Sequence, residues 1–192
     1  MLIFILGLII FLGTHSIRIF FEAWRIKQIH ALGEKKWKGI YSLLSLIGFV
    51  LIIIGYNQTK LSNIVIWNAP LWTWHITILL NLIASILITA SYVPNNAIKV
   101  KLYDPMILGV KTWAFAHLIS NGTLVGIILF GSFLIWAIVD YKSCRTRRLS
   151  ITTESIYLSS VMTAVTLVIG IIVWAVILFY GHELVIGINP IM

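Results

Sequence analysis

The chain begins with a nearly uninterrupted apolar run, LIFILGLIIFLGTHSIRIFF, which covers residues 2–21. About 20 residues of α-helix cross the hydrocarbon core of a bilayer, so this run predicts a transmembrane helix. Five comparable stretches follow it along the chain. The six run roughly over Leu2–Phe21, Gly39–Tyr56, Trp74–Val93, Met106–Asn121, Leu124–Val139 and Tyr157–Tyr180. The sequence therefore predicts an all-α integral membrane protein, a bundle of about six transmembrane helices.

The composition of the chain agrees with this fold class. Of its 192 residues, 60% are hydrophobic and only 10% are charged, and the mean hydropathy is +1.01. Soluble domains carry about 25% charged residues, and a chain this apolar would expose large hydrophobic patches in water. No soluble catalytic domain can be separated from the rest. We therefore expect residues 1–192 to form a single transmembrane domain.

The chain has a net charge of +8. The positions of its basic residues predict an orientation in the membrane rather than binding to nucleic acid. Twelve Lys and Arg residues lie in or beside the three loops that follow the first, third and fifth stretches, whereas the other loops hold only Lys60. Basic loops stay on the cytoplasmic side. Both termini are therefore expected outside, and the lipid bilayer is the partner that this pattern indicates.

Small residues predict how the helices pack. One face of the second helix carries three small residues, together with Ile52, at helical spacing. The four residues are Ser45, Gly48, Ile52 and Gly55. Gly122 and Gly126 form a second small-xxx-small pair, and such faces let helices approach closely in lipid. Only the sequence Asn-Gly-Thr at residues 121–123 separates the fourth and fifth stretches. That short connection predicts a tight helical hairpin.

Ionisable side chains inside a membrane are costly, so each one is a candidate functional residue. His15 lies in the first helix, and Arg18 and Glu22 follow at i+3 and i+7, which places all three on one face. Two interpretations stay open for this face. Arg18 and Glu22 form an interfacial ion pair beside a hydrogen-bonded core histidine, or His15 belongs to a functional site.

A second histidine, His117, lies in the fourth helix with Trp113 at i−4 and Asn121 at i+4. It could be a satisfied polar residue, but two membrane histidines suggest a cofactor, because neutral imidazole is a favoured ligand of haem iron. At 1.5 Å per residue, His15 lies about 20 Å from the outer start of its helix and His117 about 17 Å from the inner start of its own. In a core about 30 Å thick their heights differ by about 7 Å. This offset permits both to ligate one haem, but it does not establish the pair.

The other histidines and the one cysteine are weaker candidates. His30 lies in a basic loop, and His75 and His182 lie at the outer interface. A metal site made from those two is conceivable, although no carboxylate is spaced to complete it. Cys144, beside Arg145, is either an activated thiol or an ordinary loop cysteine.

Four segments of the chain have distinctive sequences. They are GTHSIR at residues 13–18, GEKKWKGIYS at residues 33–42, PMILGVKTWAFAHLISNG at residues 105–122 and the ending at residues 181–190. The third of these is the most specific, and all four resemble segments of the NnrU family, the first two its start and the last its ending. The resemblance covers nearly the whole chain.

The resemblance implies a location and a cofactor. NnrU proteins are multi-pass proteins of the bacterial inner (cytoplasmic) membrane, linked to nitrite and nitric oxide reduction. The family is similar to the plant and cyanobacterial 15-cis-zeta-carotene isomerases, membrane enzymes that hold haem b. The two haem-linked histidines of those enzymes match His15 and His117, which the resemblance therefore implies as axial ligands of the haem iron.

Two departures from the pattern weaken the comparison with the isomerases. Ala114 stands where the isomerases carry a cysteine implicated in redox-linked ligand switching, and Asp104 stands where family members commonly have a histidine before Pro105. Haem binding is compatible with both changes. Isomerase chemistry by ligand exchange is put in doubt.

The leading hypothesis is an NnrU-type protein that binds haem b and performs redox or sensing chemistry connected with nitrogen oxides. A respiratory nitrogen-oxide reductase is the partner that this hypothesis suggests. The first alternative is a carotenoid cis-trans isomerase-like enzyme. The second is a non-catalytic assembly factor for a respiratory reductase, which holds no haem. The sequence identifies no catalytic residue and leaves open whether the protein is an enzyme.

Overall fold

The computed structural model describes residues 1–59, 64–102, 104–148 and 158–187. These residues form helices joined by short connections, and among them the only β-type pairing is an isolated bridge between Val65 and Thr123. The predicted all-α membrane class is thereby confirmed. The chain divides into two compact units, Met1–Ile64 and Val65–Met192, which are described in turn.

The first unit is built on a close pair of long helices, α1 (Leu2–Phe20) and α3 (Glu34–Thr59). A Cβ atom on Gly48 of α3 would lie 2.7 Å from the backbone nitrogen of Phe11, and one on Gly7 of α1 would lie 2.6 Å from that of Ile52. Position numbers rise in α1 as they fall in α3, so the two helices are antiparallel. The predicted packing face of small residues is confirmed.

A short helix, α2 (Glu22–Leu32), connects the two long ones. Phe21 leaves the helical conformation at φ −129° and ψ 37°, and Gly33 adopts φ +83°, in the region that favours glycine. The continuous helix assumed for the face of Arg18 and Glu22 is therefore interrupted. Glu22 Oε1 instead accepts a hydrogen bond from Arg25 Nη1 at 2.8 Å, within α2 itself.

The second unit has α4 (Leu71–Tyr92) at its centre, packed against α6 (Pro105–Ser120) and α8 (Ser160–Val176). The remaining elements are α5 (Ala97–Lys101), α7 (Leu124–Arg148), a π-helical turn (Ile177–Gly181) and α9 (His182–Ile186). Polar side chains tie α4 to both neighbours. Thr77 Oγ1 donates to the carbonyl of Ala116 at 2.8 Å, and Ser85 Oγ donates to that of Gly170 at 2.9 Å.

The connection between α6 and α7 is a tight reversal, as predicted. Asn121 Oδ1 accepts hydrogen bonds from the backbone and the hydroxyl of Thr123, at 3.2 and 2.6 Å. The carbonyl of Gly122 accepts from the backbone N–H groups of Ile66 and Trp67, at 2.8 and 3.2 Å.

The packing role predicted for Gly122 and Gly126 is wrong. A Cβ atom on Gly122 would overlap the carbonyl oxygen of Trp67, and one on Gly126 would overlap the side chain of Asn121. Both glycines therefore serve the hairpin turn and its contact with the preceding loop. Gly122 precedes α7 (Leu124–Arg148), which contains Gly126, so the two glycines do not share one helix face.

Five helical segments of the described residues are long and apolar enough to cross a membrane, namely Leu2–Phe20, Glu34–Thr59, Leu71–Tyr92, Leu124–Arg147 and Ser160–Ile186. With 16 residues, α6 is about 24 Å long at 1.5 Å per residue, which is shorter than a typical span. The count of six spans and the outward termini stay predictions. Lys60, Tyr157 and the ending at residues 188–190 lie outside the described residues.

Candidate functional site

His15 lies in the last third of α1, and its orientation is set by a local hydrogen bond. Its Nδ1 atom is 2.7 Å from the carbonyl oxygen of Phe11, one turn earlier. A carbonyl only accepts hydrogen bonds, so the proton of the neutral ring is on Nδ1. This tautomer leaves the Nε2 lone pair as the group that can bind a metal.

Aromatic rings hold the His15 imidazole on two sides. The ring of Phe11 is stacked on it, with centroids 4.3 Å apart, and Tyr41 of α3 meets it edge-on at 5.3 Å. Phe11 in turn contacts Phe49 of α3, with centroids 6.1 Å apart. The position of His15 therefore depends on the packing of α1 against α3.

His117 has the same local arrangement near the end of α6. Its Nδ1 atom is 2.9 Å from the carbonyl oxygen of Trp113, again one turn earlier. The same argument places the proton on Nδ1 and leaves Nε2 as the potential ligand. Within its own unit, each of the two predicted histidines is thus presented in the form that binds metals.

The His117 imidazole lies against an aromatic cluster formed by α6 and α7. The ring of Phe130 is stacked on it at 4.7 Å, and Trp113 is tilted against it at 5.2 Å. Trp113 also meets Phe130 and Phe133 edge-on, at 5.3 and 5.4 Å. This side of the histidine is apolar and closely packed.

His182 lies beside His117, a pairing that sequence reasoning missed. The two ring centroids are 6.4 Å apart and the ring planes differ by only 13°. The sequence had grouped His182 with His75, which is an exposed residue near the start of α4. His182 begins α9 directly after the π-helical turn. Apart from its place in the Gly-His ending, no sequence pattern could have identified this contact.

Two residues of α6 and its N-terminal cap depart from the pattern that the resemblance implies. Ala114, where the resemblance implies a cysteine in the isomerases, is 0% exposed. Asp104 Oδ1 accepts a hydrogen bond from the backbone N–H of Ile107 at 3.2 Å. It therefore caps the helix, a role for which Asp is well suited.

Two further polar residues lie along the hairpin. Lys111, an ionisable residue of α6 that sequence reasoning overlooked, places its ammonium group 5.2 Å from the ring centre of Tyr141. Cys144 lies in the extended end of α7, not in a loop as expected. Its sulfur is 2.8 Å from Arg147 Nη2 and 3.7 Å from Asp140 Oδ1.

Across the part of the chain that the structure describes, no group of three or more His, Cys, Asp or Glu residues is placed to hold a metal ion. A bare catalytic or structural zinc ion takes three or four protein ligands. A haem iron differs in needing only one or two protein ligands, because the porphyrin supplies the others.

Comparison with known proteins identifies the family of the chain. A family model described as NnrU protein matches residues 3–190, a range that runs through both units. No curated protein and no solved structure matches the chain.

Proposed function

This chain belongs to the NnrU family, and we propose that it is a multi-pass protein of the bacterial inner membrane that binds haem b. In this proposal His15 and His117 each supply an axial imidazole to haem iron. The protein would use this haem for redox or sensing chemistry in nitrite and nitric oxide reduction. Its partner would be a respiratory nitrogen-oxide reductase.

The observation that carries the proposal is the shared hydrogen-bond arrangement of the two histidines. In metal sites a ligating histidine donates its other ring N–H to a carboxylate, a backbone carbonyl or water, which fixes the tautomer and the ring orientation. His15 and His117 both have Nδ1 at hydrogen-bond distance from the carbonyl one turn earlier. The residues present therefore fit an iron that is ligated through Nε2.

The surroundings of both histidines also suit a large apolar macrocycle. Phe11 and Tyr41 flank His15, and Trp113 and Phe130 flank His117. When bound, a haem supplies an iron centre that exchanges electrons or binds a diatomic ligand, and the polarity of its pocket decides between these uses. The aromatic rings of this chain would exclude water and keep each imidazole in place.

The carotenoid isomerase alternative receives less support from the same residues. The buried methyl group of Ala114 occupies the position at which ligand exchange would need a thiol. Turnover of a tri-cis polyene under reducing conditions tests that alternative directly. Activity of the purified protein would favour the isomerase over a role in nitrogen-oxide chemistry.

The visible spectrum of the protein purified from haem-replete cells tests the proposal. We expect a Soret band that is strongly reduced in His15→Ala and in His117→Ala. The matched controls are His30→Ala and His75→Ala, because both of these histidines are exposed and neither is a proposed ligand. A folded, colourless wild-type protein would contradict the proposal and favour the haem-free assembly factor.

A further inference from the structure

We propose that the connection between α1 and α3 binds the headgroups of anionic phospholipids. This connection and the first turn of α3 carry both exposed apolar side chains and exposed lysines. They are Phe21, Trp24, Ile26, Lys27, Lys35 and Lys36, and we refer to these six as the α2 surface. The proposal concerns the first unit alone and does not depend on haem binding.

The α2 helix lies at one end of the pair formed by α1 and α3. Phe21 separates it from the end of α1, and Gly33 separates it from the start of α3. Both long helices are long and apolar enough to cross a membrane, whereas the 11 residues of α2 are too few to do so. With α1 and α3 in the bilayer, α2 therefore lies at the membrane surface.

The apolar side chains of the α2 surface are better suited to lipid than to water. No residue of α2 is buried, and Phe21, Trp24 and Ile26 are 62%, 48% and 44% exposed. The ring of Trp24 meets that of Trp37 edge-on, with centroids 5.7 Å apart, so the start of α2 lies beside the start of α3. Tryptophans are enriched where headgroups meet acyl chains. These contacts favour a helix that lies in the interface plane.

The lysines of the α2 surface have no carboxylate partner, because both nearby glutamates pair with other residues. Glu22 Oε1 is 2.8 Å from Arg25 Nη1, and Glu34 Oε1 is 2.7 Å from Lys38 Nζ. Within the part of the chain that the structure describes, none of the three lysines forms an ion pair. All three are exposed. Their charges are therefore available to an anionic ligand.

The arrangement of charge and apolar surface indicates a lipid as this ligand. Trp24 and Ile26 lie on either side of Lys27 on the exposed face of α2, because successive residues are 100° apart around a helix. A soluble anion or an acidic protein segment would leave the apolar pair in water. An anionic phospholipid offers a phosphate to the lysine and acyl chains to its neighbours. Basic clusters next to a transmembrane helix attract such lipids in the cytoplasmic leaflet, the side on which this connection is expected.

Native mass spectrometry of the chain purified in detergent tests the proposal. Phosphatidylglycerol and phosphatidylcholine with identical acyl chains are added at equal concentration, and the bound lipids are counted. We expect the wild-type protein to bind phosphatidylglycerol several-fold better, and we expect this preference to be lost in a variant of the α2 surface. The variant is Lys27→Gln/Lys35→Gln/Lys36→Gln.

A control variant with the same change in charge separates the α2 surface from the net charge of the protein. It is Lys101→Gln/Lys142→Gln/Arg145→Gln, which alters three exposed residues of the second unit. This control should keep the wild-type preference. An equal loss in both variants, or an unchanged preference in the variant of the α2 surface, would overturn the proposal.

Two further measurements complete the test. Glycerol 3-phosphate, which carries a phosphate without acyl chains, should not displace the bound lipid at equal concentration. Displacement would identify a site for soluble anions and would overturn the assignment to lipid. Arg18, Arg25 and Lys38 keep the connection basic in the triple variant, so its orientation should be unchanged. Should that variant fail to accumulate, Lys27→Gln alone is expected to reduce the preference, and an unchanged preference there would also overturn the proposal.

Discussion

At the scale of single residues, His15 and His117 were candidate ligands on the sequence alone, and their role as ligands stays a prediction. Both are histidines within apolar stretches, and a helix places the carbonyl of residue i−4 next to the side chain of residue i. The observed contacts to Phe11 and Trp113 follow from that geometry. What the sequence could not give is the aromatic cluster around each ring, since Tyr41 and Phe130 come from other helices.

His182 illustrates why the rest of the candidate site could not be predicted. It is distant from His117 along the chain, and the turn that orients it departs from the regular spacing on which helical patterns are recognised. Lys111 is a different case. A charge within a membrane span is costly, which could have singled out Lys111 from the sequence. Its contact with Tyr141 depends on the packing of α6 against α7.

Phe130 is expected to retain the haem at His117, although it is not a ligand. Phe130→Leu removes the ring that is stacked on His117 and leaves a partly filled space beside it. We expect haem to transfer several-fold faster to an acceptor such as apomyoglobin, measured by the change in the Soret band. Phe115→Leu is the control, because Phe115 is 48% exposed on the same helical hairpin. Equal transfer rates in the two variants would contradict this role.

At the scale of helices, the close contact of α1 with α3 depends on particular glycines. A Cβ atom on Gly48 would lie 2.7 Å from the backbone of Phe11, whereas one on Gly39, in the same helix, would meet no atom within 4 Å. Overpacking of this kind costs about 1–3 kcal/mol. We therefore expect Gly48→Val to lower the melting temperature in detergent by several degrees and Gly39→Val to change it little. Similar losses in both variants would argue against the packing.

The π-helical turn predicts an unusual tolerance to deletion. Removal of Phe179, which is 55% exposed, would let the turn close into an ordinary α-helix and leave His182 on its present face. Removal of Val168, which is 56% exposed in α8, would instead rotate one part of that helix by about 100° against α4. We expect the first variant to keep the wild-type melting temperature in detergent and the second to lower it. Equal damage from the two deletions would contradict the assignment of the extra residue to this turn.

At the scale of the whole chain, the apolar runs predicted the helices well and their ends less well. The fifth run was expected to end at Val139, but α7 continues to Arg148. Polar contacts one turn apart support this extension, such as the hydrogen bond of 3.1 Å from Thr146 to the carbonyl of Lys142. A hydropathy pattern indicates where a helix leaves the lipid. The helix itself can continue beyond that point. The chain divides into two compact units. This division does not test the prediction of a single transmembrane domain, which stays a prediction.

The distribution of basic residues makes a testable prediction of orientation. With both termini outside, alkaline phosphatase fused to the C-terminus should be active and green fluorescent protein in the same place should be dark. Fusions to a chain truncated after Lys101, in a loop expected on the cytoplasmic side, should give the reverse. A fluorescent C-terminal fusion would contradict the predicted outward C-terminus.

The central claim is that this NnrU-family protein holds haem b through histidines of its membrane helices, and the pyridine haemochrome spectrum of the purified chain tests it most directly. The account predicts the haem b spectrum, with at least one haem per chain in the wild-type protein and a strong loss in His117→Ala. A wild-type protein that is folded and contains no haem, although it was produced in cells with ample haem, would contradict it.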